Sequence, residues 1–448
     1  MRLNYLQTFL LGFAFLGIQA LFAVYNAYVP IFLQSGRLDF VEINPVAGGF
    51  GLNATLTGFI MTLDNLAAIL ILPYIGALSD VTVSRWGKRK PYIIAGAPLA
   101  VLAFAGIPFM LGLPLSLFML VVVIFILAVD IFRTPVISLM PDITPSPLRS
   151  QANGIINLMG GLGATLAFVI GGVLYSMSPT GPFLFGSITT LIACAIVVFF
   201  VSVPREPDEV RTPGSLWQRV REAARNQEGG SIGQDIRTVI SDRDRSVLLL
   251  LGAIFFWFLA YSALTVFFTS FATVSLGVAR GQEALLLAFF SLTIVLFALP
   301  AGVIGARIGR KRSILLGLAI FTVALSAISA LSNLNLIRFM LILSGIGWAM
   351  IVVNSLPMIF DSAPLGRIGA YTGLYYVASQ SAEVIGPVLV GGVLDLLDSN
   401  YRTMFIYAPL MLIIAMTLMI KVQRGEVRTS VPAEAHLPEA TSQTTLEG

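Results

Sequence analysis

The stretch GALSDVTVSRWGKRKPYIIAG, residues 76–96, has a shorter counterpart much later in the chain, GVIGARIGRKR, residues 302–312. Each sits between two long apolar runs and concentrates glycines and cations in one connection. The first carries Gly76, Asp80, Arg85, Gly87, Lys88 and Arg89; the second carries Gly302, Arg307, Gly309 and Arg310. Glycine suits a tight reversal and close backbone approach. The cations suit phospholipid headgroups or the negative C-terminal ends of helices. A second pair of segments repeats in the same order. Pro141, Asp142, Pro145 and Arg149 lead to Gly171-Gly172, while Pro357, Asp361, Pro364 and Arg367 lead to Gly391-Gly392. Ordered landmarks of this kind predict two related halves.

Composition sets the surroundings of those halves. Of 448 residues, 57% are hydrophobic and 11% charged, with a mean hydropathy of +0.89. A soluble protein is nearer half apolar and roughly a quarter charged, so a soluble enzyme and a disordered chain are both excluded. Apolar runs fall at 6–33, 54–78, 91–112, 115–140, 150–175, 183–203, 247–275, 284–305, 313–331, 335–358, 368–394 and 402–421. A spanning helix needs about 20 such residues. The expected fold is an all-α polytopic membrane protein with twelve transmembrane helices in two pseudo-symmetric six-helix bundles.

Basic residues set the expected orientation. With the N-terminus inside, 22 of the 27 Lys and Arg fall in inner segments, and only Arg37, Arg280, Arg338 and Arg402 fall outside. Both termini are therefore expected in the cytoplasm, with the chain multi-pass in a prokaryotic cytoplasmic (inner) membrane. The expected organisation is a bundle at 1–203, a cytoplasmic linker at 204–245, a second bundle at 246–424 and a disordered cytoplasmic tail at 425–448. Within the linker, Leu216, Trp217, Val220, Ala223 and Ala224 form an apolar stripe at helical spacing beside four charged residues, the pattern of a helix lying on the inner leaflet.

The loop motif at both homologous positions resembles that of the major facilitator superfamily, and implies its fold. The run Ser84 to Gly96, with Asp130, Arg133 and Ser138 to Pro141, resembles the glycoside–pentoside–hexuronide cation symporters. It is equally similar to the sucrose–proton and animal disaccharide-transporter branch. The resemblance implies secondary active uptake of a neutral sugar, a disaccharide or glycoside, driven by a cation gradient. Melibiose-type carriers have second-helix carboxylates near the positions of Ala68 and Leu72; here Asp64 stands one turn away, which favours H+ over Na+ as the coupling ion. Ala306 stands where the superfamily loop has an Asp, so the two loops are not expected to make identical gating contacts. A sodium-coupled symporter, a facilitator or exporter of another solute, and a non-transporting receptor or scaffold are the alternatives.

Four charges lie inside apolar runs. Asp64 stands about ten residues into its run, roughly 15 Å deep at 1.5 Å per residue. Asp130 and Arg133, three apart, share a face of the fourth helix; they form either a structural ion pair or a switch that responds to substrate. Glu383 is near the middle of the eleventh. Charges at such depth cost several kcal/mol, so they face a cavity or a partner. Asp64, Asp130 and Glu383 are the cation-coupling candidates. Arg133, with its planar donor fork, joins the substrate candidates Gln19, Asn26, Asn157, Tyr261, Asn354, Tyr376 and Gln380. Amides match sugar hydroxyls and aromatic rings match the apolar ring face. Tyr376, Gln380 and Glu383 share a helix face.

The remaining residues narrow the chemistry further. One Cys (Cys194) and one His (His436) leave no multi-thiolate metal site and no histidine relay. There is no G-x-x-x-x-G-K-[ST] phosphate loop. No enzyme activity, cofactor, metal or nucleic acid is expected; the partners are a sugar and membrane lipids, and the working unit is expected to be a monomer.

Overall fold

The computed structural model describes residues 4–80, 82, 84–144, 148–202, 245–362 and 368–425. The expected surface helix at 216–225, the tail beyond 425, Pro145, Pro364 and Arg367 lie outside the described residues, and so does the side chain of Arg149.

Among the described residues, twelve spans are long and apolar enough to cross a membrane. The first six comprise α1 (Tyr5–Gln34), α2 (Ala54–Met61) with α3 (Leu63–Asp80), α4 (Lys90–Gly106), α5 (Leu115–Ile143), α6 (Arg149–Met177) and α7 (Gly181–Phe200). The last six are α8 (Ser246–Ser275), α9 (Gln282–Ile308), α10 (Arg310–Ala330), α11 (Leu334–Ser362), α12 (Ile368–Leu396) and α13 (Met404–Lys421).

Local chemistry explains where these elements begin and break. Asn4 caps α1 by accepting the Gln7 backbone N–H at 3.1 Å, supplying one of the partners that a helix start lacks. The thirty residues of α1 reach about 45 Å, well beyond the roughly 30 Å hydrocarbon layer. The second span is interrupted at Thr62, whose hydroxyl donates to the Phe59 carbonyl at 2.8 Å. Asp64 therefore sits in the first turn of α3, deep in a span, at the positive end of a helical segment. Between α4 and α5 the chain passes through a 3-10 turn, Ile107–Met110. In the two repeated loops Gly87 and Gly309 adopt φ of +88° and +96°, a region that residues with a Cβ avoid.

Packing repeats along with sequence. In the first set α1 packs against α6 and α7, and α4 against α5 and α7; in the second α8 packs against α12 and α13, and α10 against α11 and α13. The two sets meet reciprocally: α6 lies on α9, and α2 lies on α12. The double-Gly landmarks occupy these crossings. A Cβ on Gly172 would collide with the Gly281 carbonyl and Leu285, and one on Gly391 with the Ala54 backbone. Without a hydrophobic drive between helices in lipid, such close backbone approach supplies the packing.

Most of the bonds joining the two sets lie at the end away from the described termini, and one, between the Thr165 and Ser291 hydroxyls at 3.1 Å, lies at mid depth where α6 crosses α9. Asp395, at the end of α12, accepts the backbone N–H groups of Ala54 at 3.0 Å and Thr55 at 2.7 Å, and the Thr55 hydroxyl at 2.5 Å. Arg37 reaches Asp395 at 3.7 Å and Ser399 at 2.8 Å. Gln34 donates to Ser270 at 2.9 Å and accepts from the Tyr401 hydroxyl. Arg280 donates to the Asn44 and Pro45 carbonyls, each at 2.8 Å. Glu42, in the same outer segment, accepts from Ser35 and from the Val46 N–H; burial pushes its carboxyl above the ordinary value against the pull of these donors and of Arg280.

At the opposite end the ionic contacts stay within each set. Arg89 pairs with Asp80 and, at 3.0 Å, with Asp142, which Lys88 approaches to 3.8 Å. Arg310 pairs with Asp361 and donates to the Pro357 carbonyl at 2.7 Å. The side-chain bonds described between the bundles thus concentrate at the end away from the described termini, with Thr165 and Ser291 adding one at mid depth.

Candidate functional site

The midmembrane charges come together from three helices. Asp64 on α3, Asp130 and Arg133 on α5, and Glu383 on α12 lie within electrostatic reach of one another: Arg133 acts on all three carboxylates, and Asp64 acts on both Asp130 and Glu383. The break at Thr62 turns the Asp64 side chain toward the α3 amide dipoles, yet its Oδ1 has no hydrogen-bond partner among the described residues. Glu383 accepts from the Gln380 amide at 3.2 Å, one turn away. Arg133 is thus the cation shared by three carboxylates drawn from both bundles.

Of the two arrangements open for Asp130 and Arg133, the structure does not show the ion pair. Arg133 lies over the Phe22 ring, its guanidinium carbon 5.0 Å from the centroid. Asp130 is only 2% exposed, and its Oδ2 has no hydrogen-bond partner among the described residues. The delocalised, weakly hydrated guanidinium finds an aromatic face on α1, which sequence spacing on α5 alone does not reveal. Phe22 could have been found from its place on α1, one turn from both Gln19 and Asn26.

The sugar candidates separate into three groups. Tyr261 on α8 stacks face to face on Trp348 of α11, centroids 4.2 Å apart at 4°. Both Tyr261 and Tyr375 feel the Glu383 charge. Tyr376 packs edge-on against Tyr375 at 5.4 Å and is 52% exposed. Tyr261, Tyr376, Gln380 and Glu383 are thus parts of one aromatic and polar wall. Gln19 and Asn157 are exposed on α1 and α6, and Asn26 is half-buried on α1; Gln19 lies against Gly160 of α6.

Asn354, also expected at the substrate site, sits apart from both groups. It is 4% exposed, and its amide nitrogen donates to the Ala301 carbonyl at 3.2 Å, Ser313 at 3.1 Å and the Met350 carbonyl at 2.9 Å. Its oxygen presses on Gly305, where a Cβ would collide. It clamps α9, α10 and α11 beside the Gly302–Arg312 loop. A buried amide in an apolar helix looks the same in sequence whether it faces a cavity or a neighbouring helix.

Twelve spans, paired across two pseudo-symmetric sets around buried midmembrane charges, define an all-α polytopic membrane protein of the two-bundle kind. The chain matches the Major Facilitator Superfamily over residues 5–282 and 250–445, and it belongs to that family. Its fold is similar to a mutant form of the nucleoside transporter NupG, with a TM-score of 0.65 at 12% identity, covering 93% of this chain and 100% of that one.

Among curated proteins, the chain is 27% identical over 220 residues to Proton-associated sugar transporter A of Rattus norvegicus, 44% of this chain and 27% of that protein. It is 27% identical over 207 residues to Lactose permease of Lactobacillus helveticus, 41% of this chain and 32% of that one. A 67-residue stretch is 36% identical to Sucrose transport protein SUT1 of Oryza sativa subsp. japonica, 15% of this chain and 12% of that one. The matched stretches span a third or less of these relatives.

Proposed function

We propose that the protein is a secondary active transporter that imports a neutral sugar, a disaccharide or glycoside, together with protons. The observation that carries the reading is the meeting of Asp64, Arg133 and Glu383 between the bundles, beside the parallel Tyr261–Trp348 pair. Aromatic faces cover the apolar side of a sugar ring, and Gln19, Asn26, Asn157, Gln380 and the Arg133 fork serve its hydroxyls. The printed names of relatives for proton-associated sugar, lactose and sucrose transport support the same substrate class.

Asp64 is the coupling group in this reading. A midmembrane carboxylate is costly while charged and cheap once protonated, so its proton state tracks which side wets the site. Asp130 and Glu383 share the charge through Arg133. The loop groups Gly76, Asp80, Arg85, Gly87, Lys88, Arg89, Arg149, Gly302, Arg307, Gly309, Arg310, Asp361 and Arg367 act as the inner gate. The domain division is 1–203, 204–245, 246–424 and 425–448. In this reading the membrane is a prokaryotic cytoplasmic one and both termini are cytoplasmic, an orientation that the basic bias supports; the more heavily bonded end is then outer and the conformation faces inward. A monomer contains the whole pathway.

The deciding experiment is sugar flux into proteoliposomes under independently imposed H+ and Na+ gradients. Accumulation of a labelled disaccharide driven by H+ alone supports the proposal. Accumulation driven by Na+ alone replaces the coupling ion, and no accumulation of any sugar by folded protein removes the substrate class.

A further inference from the structure

Glu283, in the first turn of α9, is a carboxyl that the central site does not use. It is 1% exposed, and neither carboxylate oxygen has a hydrogen-bond partner among the described residues. The residues around it come from α1, the segment that follows α1, α6 and α8. Tyr28 of α1 and Tyr175 of α6 face it with their rings 4.2 Å apart and their hydroxyls equally unpartnered. Glu42 and Asn44 approach from the segment after α1, and Thr273 from α8. Arg280, three residues before it, donates one guanidinium nitrogen to the Asn44 and Pro45 carbonyls and lies 5.7 Å from the Tyr175 centroid; its buried Nε has no partner among the described residues, and its charge offsets part of the cost of burying the carboxylate. The backbone amides of Gly281 and Glu283 itself are the other nearby dipoles.

This cluster lies where α6 crosses α9, beside the contact of Gly172 with Gly281. Closing the two bundles at this end therefore takes the carboxyl out of water. Burying a carboxylate without matched donors costs several kcal/mol more than burying the neutral acid. The ligand that relieves this cost must be small and must tolerate Arg280. The cavity among these residues holds about 10 Å³, room for roughly one water, and is too small for a hydrated metal cation.

The geometry points to Glu283 as a second proton-binding site, one that takes up a proton when the more heavily bonded end closes and releases it when that end opens. The site is separate from Asp64 in position and role: Asp64 links the proton to substrate, whereas Glu283 links it to closure. The inference rests on the reading of the protein as a secondary transporter, but not on sugar as the substrate. Its sign is fixed by burial: low pH holds this end shut and high pH favours opening. With one linked proton, the open-to-closed ratio changes by up to about tenfold per pH unit.

The test measures the distance between spin labels at Met177→Cys on α6 and Leu336→Cys on α11, in full-length protein in lipid nanodiscs between pH 5 and pH 9. Both positions are exposed, and the native Cys194 is buried. The long-distance population should grow as pH rises. Glu283→Gln, which keeps the shape of the neutral acid, should hold the short distance at every pH, while Glu283→Asp should restore the response. A pH-independent distribution in the parent protein overturns the proposal without needing any variant to fold. So does a full pH response in Glu283→Gln, or a response lost only in Glu42→Gln. No sugar is present, so failed sugar uptake with an intact pH response removes the substrate reading and leaves this one standing.

Discussion

Arg133 faces Phe22 of α1, with its guanidinium carbon 5.0 Å from the ring centroid, and makes no ion pair with Asp130, three residues earlier on its own helix. The arrangement keeps the cation central and able to turn, because a ring holds a guanidinium without neutralising it. Cation–π contacts contribute about 0.5–2 kcal/mol according to desolvation. Arg133→Lys keeps the charge and loses the planar fork, so sugar affinity should fall at least about tenfold, or 1.4 kcal/mol. Phe22→Leu should weaken binding less, and the double variant should show non-additivity of about 0.5–2 kcal/mol. Calorimetric titration of the four proteins checks this; full additivity would separate Phe22 from the site.

Asp64→Asn should abolish proton-driven accumulation and leave sugar counterflow, because an amide buried beside the α3 amide dipoles cannot exchange a proton. Coupled binding sites are reciprocal in affinity, so sugar binding by the variant should also lose its pH dependence. Counterflow and concentrative uptake measured on the same vesicles separate the two steps. Normal accumulation would move the coupling role to Glu383 or Asp130.

Asp395→Ala should loosen the more heavily bonded end. The carboxylate caps α2 across the bundle boundary through the Ala54 and Thr55 amides, and a charged cap contributes about 1–2 kcal/mol. Loss of that amount shifts the population toward opening by roughly five- to thirtyfold. Hydrogen exchange at residues 54–58 should accelerate accordingly. Unchanged exchange there would show that Gln34, Ser270 and Tyr401 suffice to hold the closure.

Asn354→Leu should lower Tm by several degrees while leaving sugar affinity unchanged. Three buried hydrogen bonds are lost and Ser313 is left without the amide, a cost of about 1–3 kcal/mol. Melting and binding curves on purified protein check both halves of the statement. A large affinity loss at unchanged Tm would return Asn354 to the substrate site.

The sequence by itself determined the twelve spans, because each is a run of apolar side chains long enough to cross lipid, and the environment of such a run is a property of composition. Observed helix ends fall within about four residues of the apolar runs, save that α4 ends at Gly106, where the run reaches 112 and the chain continues as a 3-10 turn. The pairing of landmarks in the two halves was equally legible, since the same loop chemistry recurs at Gly87 and Gly309 and the same close crossing at Gly172 and Gly391. The partners of the intramembrane polar groups were not legible. A period of 3.6 places Asp130 and Arg133 on one face but says nothing of Phe22 on another helix. It gives Asn354 and Gln380 the same amide in the same apolar setting, though one clamps three helices and the other reaches Glu383. Glu283 reads as an ordinary acidic residue at a helix start; only the crossing of α6 and α9 buries it. Hydropathy is local and additive along the chain, whereas the partner of a buried polar group depends on which helices cross at its depth, and that was decided by tertiary packing.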